Sequence, residues 1–200
     1  TVYVNGKPVG GHTGGYTAFT LDLTEELTGD DELMVRVRDD SDKSPLARGK
    51  QKTKRGGIWY TAQSGIWQTV WAEIVPDRYI RNLRIVPRFD ESLVEITVEA
   101  ADGGACTVEF AGECYAGIAN RPVSVPVPNF RAWSPETPVL YDFSACLGED
   151  RVESYFALRT VEVKTVKGIP RLCLNGNPYF FHGLLDQGYW PDGIFTPAKP

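Results

Sequence analysis

The stretch that most constrains the fold is residues 56–76, GGIWYTAQSGIWQTVWAEIVP, where a glycine-punctuated loop runs into an alternating sequence. From Ile66 to Ile74 aliphatic side chains occupy one face, and Trp67 and Trp71 occupy the other, which is the period of a β-strand. A strand that is apolar on both faces is typical of one enclosed between its own sheet and a neighbouring domain. We therefore predict a strand here, with Trp67 or Trp71 buried at a domain boundary of the full-length protein.

Regular alternation resumes after Tyr79, with turn residues between the runs. Val94, Ile96 and Val98 would share one face of a strand, and the pattern repeats from Cys106 after a glycine-containing turn. The later alternating runs bring the total to about seven short strands, the number expected of an immunoglobulin-like β-sandwich. The sequence therefore predicts an all-β fold for this region.

Two Asn-Gly pairs predict tight hairpins, at Asn5-Gly6 and Asn175-Gly176, because type I′ turns need positive φ at both central residues. Further strands are predicted at residues 16–23 and 33–37. Residues 179–185 are almost continuously apolar, which is typical of a strand buried on both faces, as in a parallel barrel.

The composition limits the possible functions. The chain has 200 residues, 42% of them hydrophobic, and a net charge of −5, which suits one or two globular domains. It contains no apolar run near the roughly 20 residues that span a bilayer, so we expect no membrane partner.

The long charged segment 39–57 is either functional or mobile. Its basic cluster, Arg48, Lys50, Lys52, Lys54 and Arg55, is read as a solvated loop, with a nucleic-acid or anion site as the alternative.

The cysteines give no metal or redox motif. Cys106, Cys114, Cys146 and Cys173 form no C-x-x-C pair, which disfavours zinc and thioredoxin-type chemistry. We expect reduced thiols and slightly favour a cytoplasmic location, while a Cys106–Cys114 bridge across a hairpin stays open. The chain starts within a strand-like run and has one methionine, so we expect a piece of a longer protein.

Several blocks resemble the family 2 glycoside hydrolases, the β-galactosidase, β-glucuronidase and β-mannosidase group. They are RGKQ at 48–51, SGIWQTVWAEIVP at 64–76, WSPETPVLYDF at 133–143 and LNGNPYFFHGLLDQGYWPDG at 174–193. The resemblance implies three parts: the end of a jelly-roll sugar-binding domain at 1–76, an immunoglobulin-like β-sandwich at 77–166, and a hairpin with the first strand of a truncated catalytic (β/α)₈ barrel at 167–200.

The resemblance also implies where chemistry takes place. Retaining members use two glutamates from later barrel strands, and no position here matches either one, so no catalytic residue is expected in the chain. Asp186, Gln187, Tyr189 and Trp190 follow the first barrel strand and are the candidates for binding a carbohydrate substrate. They replace the Asn-Arg-His type stretch of many members.

Trp59 is the remaining candidate, at a position where several branches of the family send an acidic side chain into the site. A tryptophan there suggests a more apolar leaving group or a different sugar. Neither a cofactor nor a metal is expected, nor a nucleic-acid partner, and the oligomeric state is left open. The alternatives to a glycosidase fragment are a non-catalytic carbohydrate-binding or adhesion module and a pair of spacer domains.

Overall fold

The computed structural model describes residues 1–186, which form two compact units. The first comprises Thr1–Trp71, to which Leu185 and Asp186 are also assigned, and the second comprises Ala72–Leu184. Within residues 1–186 there is no α-helix, and one 3₁₀ turn spans Ser41–Lys43. No helix in this part of the chain has the length and hydropathy needed to cross a membrane.

All regular structure apart from that turn is β. The first unit contains five short strands: β1 (Val2–Val4), β2 (Lys7–Gly10), β3 (Leu33–Val35), β4 (Gln51–Lys52) and β5 (Tyr60–Thr61). The second contains ten: β6 (Asn82–Arg88), β7 (Leu93–Glu99), β8 (Ala105–Phe110), β9 (Glu113–Ile118), β10 (Pro122–Pro126), β11 (Tyr141–Leu147), β12 (Asp150–Phe156), β13 (Val161–Val166), β14 (Ile169–Leu174) and β15 (Asn177–Pro178).

The first seven strands of the second unit form a β-sandwich. One sheet has the order β10-β7-β6 and the other β12-β11-β8-β9, with antiparallel pairing throughout. The alternation read from the sequence is confirmed, because Val94, Ile96 and Val98 of β7 are fully buried. They belong to the same apolar core as Val108 and Leu147 of the facing sheet. This core is the main source of stability in the unit, since each fully buried aliphatic side chain contributes about 1.5–3 kcal/mol.

A separate three-stranded sheet, β13-β14-β15, follows the sandwich. Its last turn is the predicted Asn175-Gly176 hairpin, with φ of 50° and 78°. The Asn175 side chain joins this sheet to the sandwich, because its Nδ2 donates to the Trp133 carbonyl at 2.9 Å and its Oδ1 accepts from the Thr160 amide at 3.1 Å. Trp133 is half-buried with the Arg159 guanidinium 4.4 Å from its ring centroid, so its indole serves structure here.

In the first unit, the Asn5-Gly6 turn joins β1 to β2 with φ of 49° and 78°, and β3 pairs with the other edge of β1. Asn5 also connects distant segments, since its Nδ2 donates to Asp31 at 2.6 Å and its Oδ1 accepts from the Glu32 amide at 2.9 Å. Asp31 accepts three further bonds from Thr28 and Gly29. These bonds, led by the Gly29 amide, hold the pKa of Asp31 well below its usual range.

Three predicted strands are not formed. Residues 16–23, 66–74 and 179–185 lie outside every strand of the described chain. Alternation sets which side chains share a face, but a strand also requires a neighbour that pairs with its backbone. At 66–74 the intended core face is exposed, with Val70 at 59% and Ile74 at 105%. Trp67 is half-buried and donates from Nε1 to the Gly15 carbonyl at 2.7 Å, whereas Trp71 is 68% exposed.

The four cysteines are free thiols, so the Cys106–Cys114 bridge left open above is excluded. In the β8–β9 hairpin Cys106 lies opposite Gly117, and Cys114 lies opposite Glu109. The two sulfurs are therefore placed at different positions along the ladder. Burial raises the pKa of the Cys106 thiol, which disfavours the reactive thiolate.

Replacing the central core residue Ile96 with alanine should destabilise the second unit by about 2–5 kcal/mol, because the lost contacts leave a cavity. The midpoint of urea unfolding followed by circular dichroism measures this change. Ser124→Ala, at an exposed position of the partner strand β10, is the matched control and should change stability by less than about 0.5 kcal/mol. An equal shift for both variants would contradict the assignment of Ile96 to the core.

Candidate functional site

The described residues include two of the five predicted substrate-binding positions. Trp59 lies in the first unit and is half-buried, and Asp186 is exposed. Gln187, Tyr189 and Trp190 lie outside the described residues. Among residues 1–186, no group of three or more His, Cys, Asp or Glu side chains is arranged to hold a metal ion.

Residues 39–57 form an ordered loop around Trp59, and Asp42 connects its two ends. The Asp42 carboxylate accepts from the Thr53 hydroxyl at 2.7 Å and from the Thr53 amide at 3.3 Å. The bond from the Thr53 hydroxyl is the main reason that the pKa of Asp42 lies below its ordinary value, with a smaller contribution from the charge of Arg48. The loop that could have been mobile is therefore held across eleven residues.

Gln51 fixes the middle of the same loop. Its Nε2 donates to the Arg48 carbonyl at 2.6 Å, and its Oε1 accepts from the Gln63 amide at 2.8 Å. Its strand β4 pairs in parallel with β5, and the Tyr60 amide donates to the Lys50 carbonyl at 2.8 Å. The Gln51 amide thus braces the loop internally through Nε2 and joins it through Oε1 to the segment that follows Trp59.

A tight turn positions Trp59. Gly56 and Trp59 exchange two backbone hydrogen bonds, at 3.0 and 3.1 Å. The intervening backbone requires glycine, because Gly56 and Gly57 have φ of 140° and 59°. The Lys52 ammonium lies 4.0 Å from the centroid of the Trp59 ring, within the range of a cation–π interaction. One face of the Trp59 ring therefore lies beside the positive charge of Lys52.

The segment that leads to Asp186 is anchored on the second unit. The Tyr179 amide donates to the Leu172 carbonyl at 3.1 Å, and the Tyr179 hydroxyl donates to Glu136 Oε1 at 2.9 Å. This hydrogen bond raises the pKa of Tyr179. Glu136 belongs to the WSPE turn between β10 and β11 of the sandwich. The anchor therefore defines where the apolar stretch beyond Tyr179 leaves the folded unit.

Trp59 is a candidate from the sequence, whereas the residues that hold it were not predicted. The long spacing between Asp42 and Thr53 carries no local pattern that predicts their hydrogen bond. Gln51 could have been found, because it ends the RGKQ block on which the family resemblance rests.

Comparisons with known proteins agree with this architecture. The family described as glycosyl hydrolases family 2 matches residues 78–159, most of the sandwich. A β-galactosidase of Thermoanaerobacter pseudethanolicus is 28% identical over 92% of this chain and 27% of its own length. A candidate β-glucuronidase of Formosa agariphila is 34% identical over 82% of this chain and 22% of its own length. The relatives place the chain among the glycoside hydrolases.

Within that class the chain belongs to family 2. The β-glucuronidase of Ruminococcus gnavus shares its fold, with a TM-score of 0.68 at 19% identity over 91% of this chain and 34% of that structure. The chain spans about a quarter of the length of the two curated relatives, 27% and 22%.

The Asp42–Thr53 contact should control the order of the loop in a pH-dependent way. The pKa of Asp42 is lowered in the folded chain. The contact therefore contributes its full stability at pH values above the ordinary aspartate pKa of about 3.9. That stability is lost as the pH falls through the lower pKa of the folded chain. Protection factors from amide hydrogen exchange across residues 48–55 should fall over this acidic range. Asp42→Ala should lower them at every pH, whereas Asp30→Ala should not; unchanged protection in Asp42→Ala would contradict this role.

Proposed function

We propose that this chain is the non-catalytic portion of a retaining β-glycosidase that hydrolyses O-glycosidic bonds. The supporting observation is the seven-stranded sandwich of residues 82–156, which lies entirely within the segment 78–159 that matches family 2. The relatives are named as β-galactosidase and candidate β-glucuronidase. Carbohydrate is thus the proposed class of substrate.

The domain organisation proposed is the one implied by the sequence blocks. Residues 1–76 form the C-terminal part of a jelly-roll sugar-binding domain, residues 77–166 an immunoglobulin-like sandwich, and residues 167–200 the hairpin and first strand of a catalytic barrel. Exposure of the apolar stretch after Tyr179 supports the last part, with Phe180 at 83%, Leu184 at 89% and Leu185 at 85%. A strand of a parallel barrel has neighbouring strands at both edges and apolar layers against both faces. The apolar composition of this stretch suits burial of both faces.

The catalytic pair is proposed to lie in the barrel outside this chain. Retaining hydrolysis needs two carboxyl groups about 5–5.5 Å apart, one as nucleophile and one as general acid and base. Asp186 and Asp192 are the carboxylates of residues 179–200. They are six positions apart in the sequence, and neither corresponds to a catalytic glutamate of the family.

The roles proposed for the candidate residues are in substrate binding. Asp186 and Gln187 hydrogen-bond sugar hydroxyl groups, and Tyr189 and Trp190 offer aromatic faces to the apolar side of a pyranose ring. The position of Asp186, directly after the first barrel strand, is the main support, since the carboxyl ends of barrel strands line the site. Trp59 contributes from the sugar-binding domain, at the turn described above.

The purified chain should hydrolyse no glycoside. General acid and base assistance alone supplies roughly 10²–10⁴-fold, and a misplacement of about 1 Å can cost about a hundredfold. Turnover of aryl β-galactoside, β-glucuronide, β-mannoside and β-glucoside should equal that of a blank. Activity that disappears in Asp186→Asn would instead place the catalytic group inside this chain.

In the longer protein, Asp186→Asn should lower kcat/KM for the substrate about tenfold or more, because a charge-assisted hydrogen bond to a hydroxyl is replaced by a weaker neutral bond. Steady-state kinetics with an aryl glycoside measures the change. Asp102→Asn, at an exposed turn of the sandwich, makes the same chemical change away from the proposed site and should leave kcat/KM unaltered. Wild-type kinetics in Asp186→Asn would remove Asp186 from the proposed site.

A further inference from the structure

The charges of this chain are segregated around Trp59. The whole chain carries 26 acidic and 21 basic residues, yet residues 44–72 contain no aspartate or glutamate. Five cations fall within residues 48–55 of this stretch, and we name these residues the basic loop: Arg48, Lys50, Lys52, Lys54 and Arg55. An ordinary soluble surface intersperses the two signs, so this loop departs from the rest of the protein.

The basic loop is not neutralised by the described part of the chain. The ion pairs within residues 1–186 use other cations, namely Lys7, Arg38, Arg88, Arg151 and Lys164. The acidic group with a resolved electrostatic effect from the loop is Asp42, whose carboxylate is already bonded to Thr53. The basic loop therefore keeps positive charge that is not neutralised by ion pairs within residues 1–186.

The loop is also pre-ordered, which favours binding over simple solvation. Three sets of hydrogen bonds hold the loop: the Asp42–Thr53 contact, the bonds of the Gln51 side-chain amide, and the backbone bond from Tyr60 to Lys50. Binding to an ordered loop avoids the entropic cost of immobilising it.

Two details within the loop indicate the chemistry of the partner. The Arg48 guanidinium donates from Nη1 to the Ser44 carbonyl at 3.3 Å, while its buried Nε has no acceptor among residues 1–186, although buried donors are normally paired. Guanidinium groups match carboxylate and sulfate oxygens in geometry and charge. Lys52 lies over the ring of Trp59, so a cation and an aromatic ring occur together, the combination that suits a charged sugar.

We propose that the basic loop, together with Trp59, binds an anionic saccharide, one that carries carboxylate or sulfate groups. The saccharide part of this inference rests on the proposed function, and the anionic part rests on the charges and contacts above. A nucleic acid fits less well, because the chain as a whole has a net charge of −5 and an isoelectric point near 5.1, whereas nucleic-acid-binding domains are basic as a whole. Of the two alternatives that Trp59 suggested, a more apolar leaving group or a different sugar, this proposal develops the second.

Binding of three hexasaccharides to the chain, measured by isothermal titration calorimetry, tests the proposal: an oligouronate, a sulfated glycosaminoglycan fragment and neutral cellohexaose. We expect at least tenfold tighter binding of one or both anionic probes than of cellohexaose, and the tighter of the two identifies the group recognised. Affinity should fall as salt is raised, since exposed charges are screened over about 8 Å at physiological ionic strength.

The double variant Lys50→Gln/Lys54→Gln should weaken anionic binding about tenfold. Arg121→Gln/Arg171→Gln, at exposed positions of the second unit, changes the net charge equally and should have no effect. Three results would overturn the proposal. They are equal binding of all three sugars, equal loss of affinity in the two double variants, and binding of a single-stranded oligonucleotide that matches or exceeds that of the anionic sugars. Hydrolysis of neutral aryl glycosides by the longer protein tests the glycosidase function separately, so either idea can fail alone.

Discussion

Pairing of backbone amides and carbonyls between strands is the constraint on which the rest of this structure depends. In the second unit every strand from β6 to β12 has a hydrogen-bonded neighbour, and the alternating side chains then form one apolar core. Val94, Ile96 and Val98 are fully buried there. The same alternation at 66–74 produces no strand within residues 1–186. Pattern and pairing are therefore separate requirements, and both must be met.

The surroundings of Trp59 illustrate how a loop without regular structure can still be ordered. Few of its backbone groups belong to a ladder, so side chains of Asp42 and Gln51 supply the missing partners. Glycine at positions 56 and 57 provides the backbone angles that the turn before Trp59 requires. An ordered loop of this kind can present charged side chains in fixed positions, which is how binding residues are commonly carried on rigid β-sandwiches.

The position of Lys52 changes the interpretation of Trp59. From the sequence, a tryptophan in place of an acidic residue suggested a more apolar leaving group or a different sugar. In the structure the ammonium lies 4.0 Å from the ring centroid, and the neighbouring positions 48–55 supply four more cations. An aromatic ring alone favours apolar partners. With the cations of the loop beside it, the positive electrostatic potential also attracts anionic groups.

The sequence by itself determined the all-β class, the seven strands of the sandwich, the hairpins at Asn5-Gly6 and Asn175-Gly176, and the family, because these depend on local periodicity, turn chemistry and short motifs. Tertiary structure decided which alternating segments became strands, and 66–74 and 179–185 are not among the strands of residues 1–186. It also separated Cys106 from Cys114, brought Asp42 to Thr53 and placed Lys52 over Trp59. The physical reason is that each of these outcomes depends on register or on contacts between residues several positions apart, and neither is encoded in any local period of the sequence.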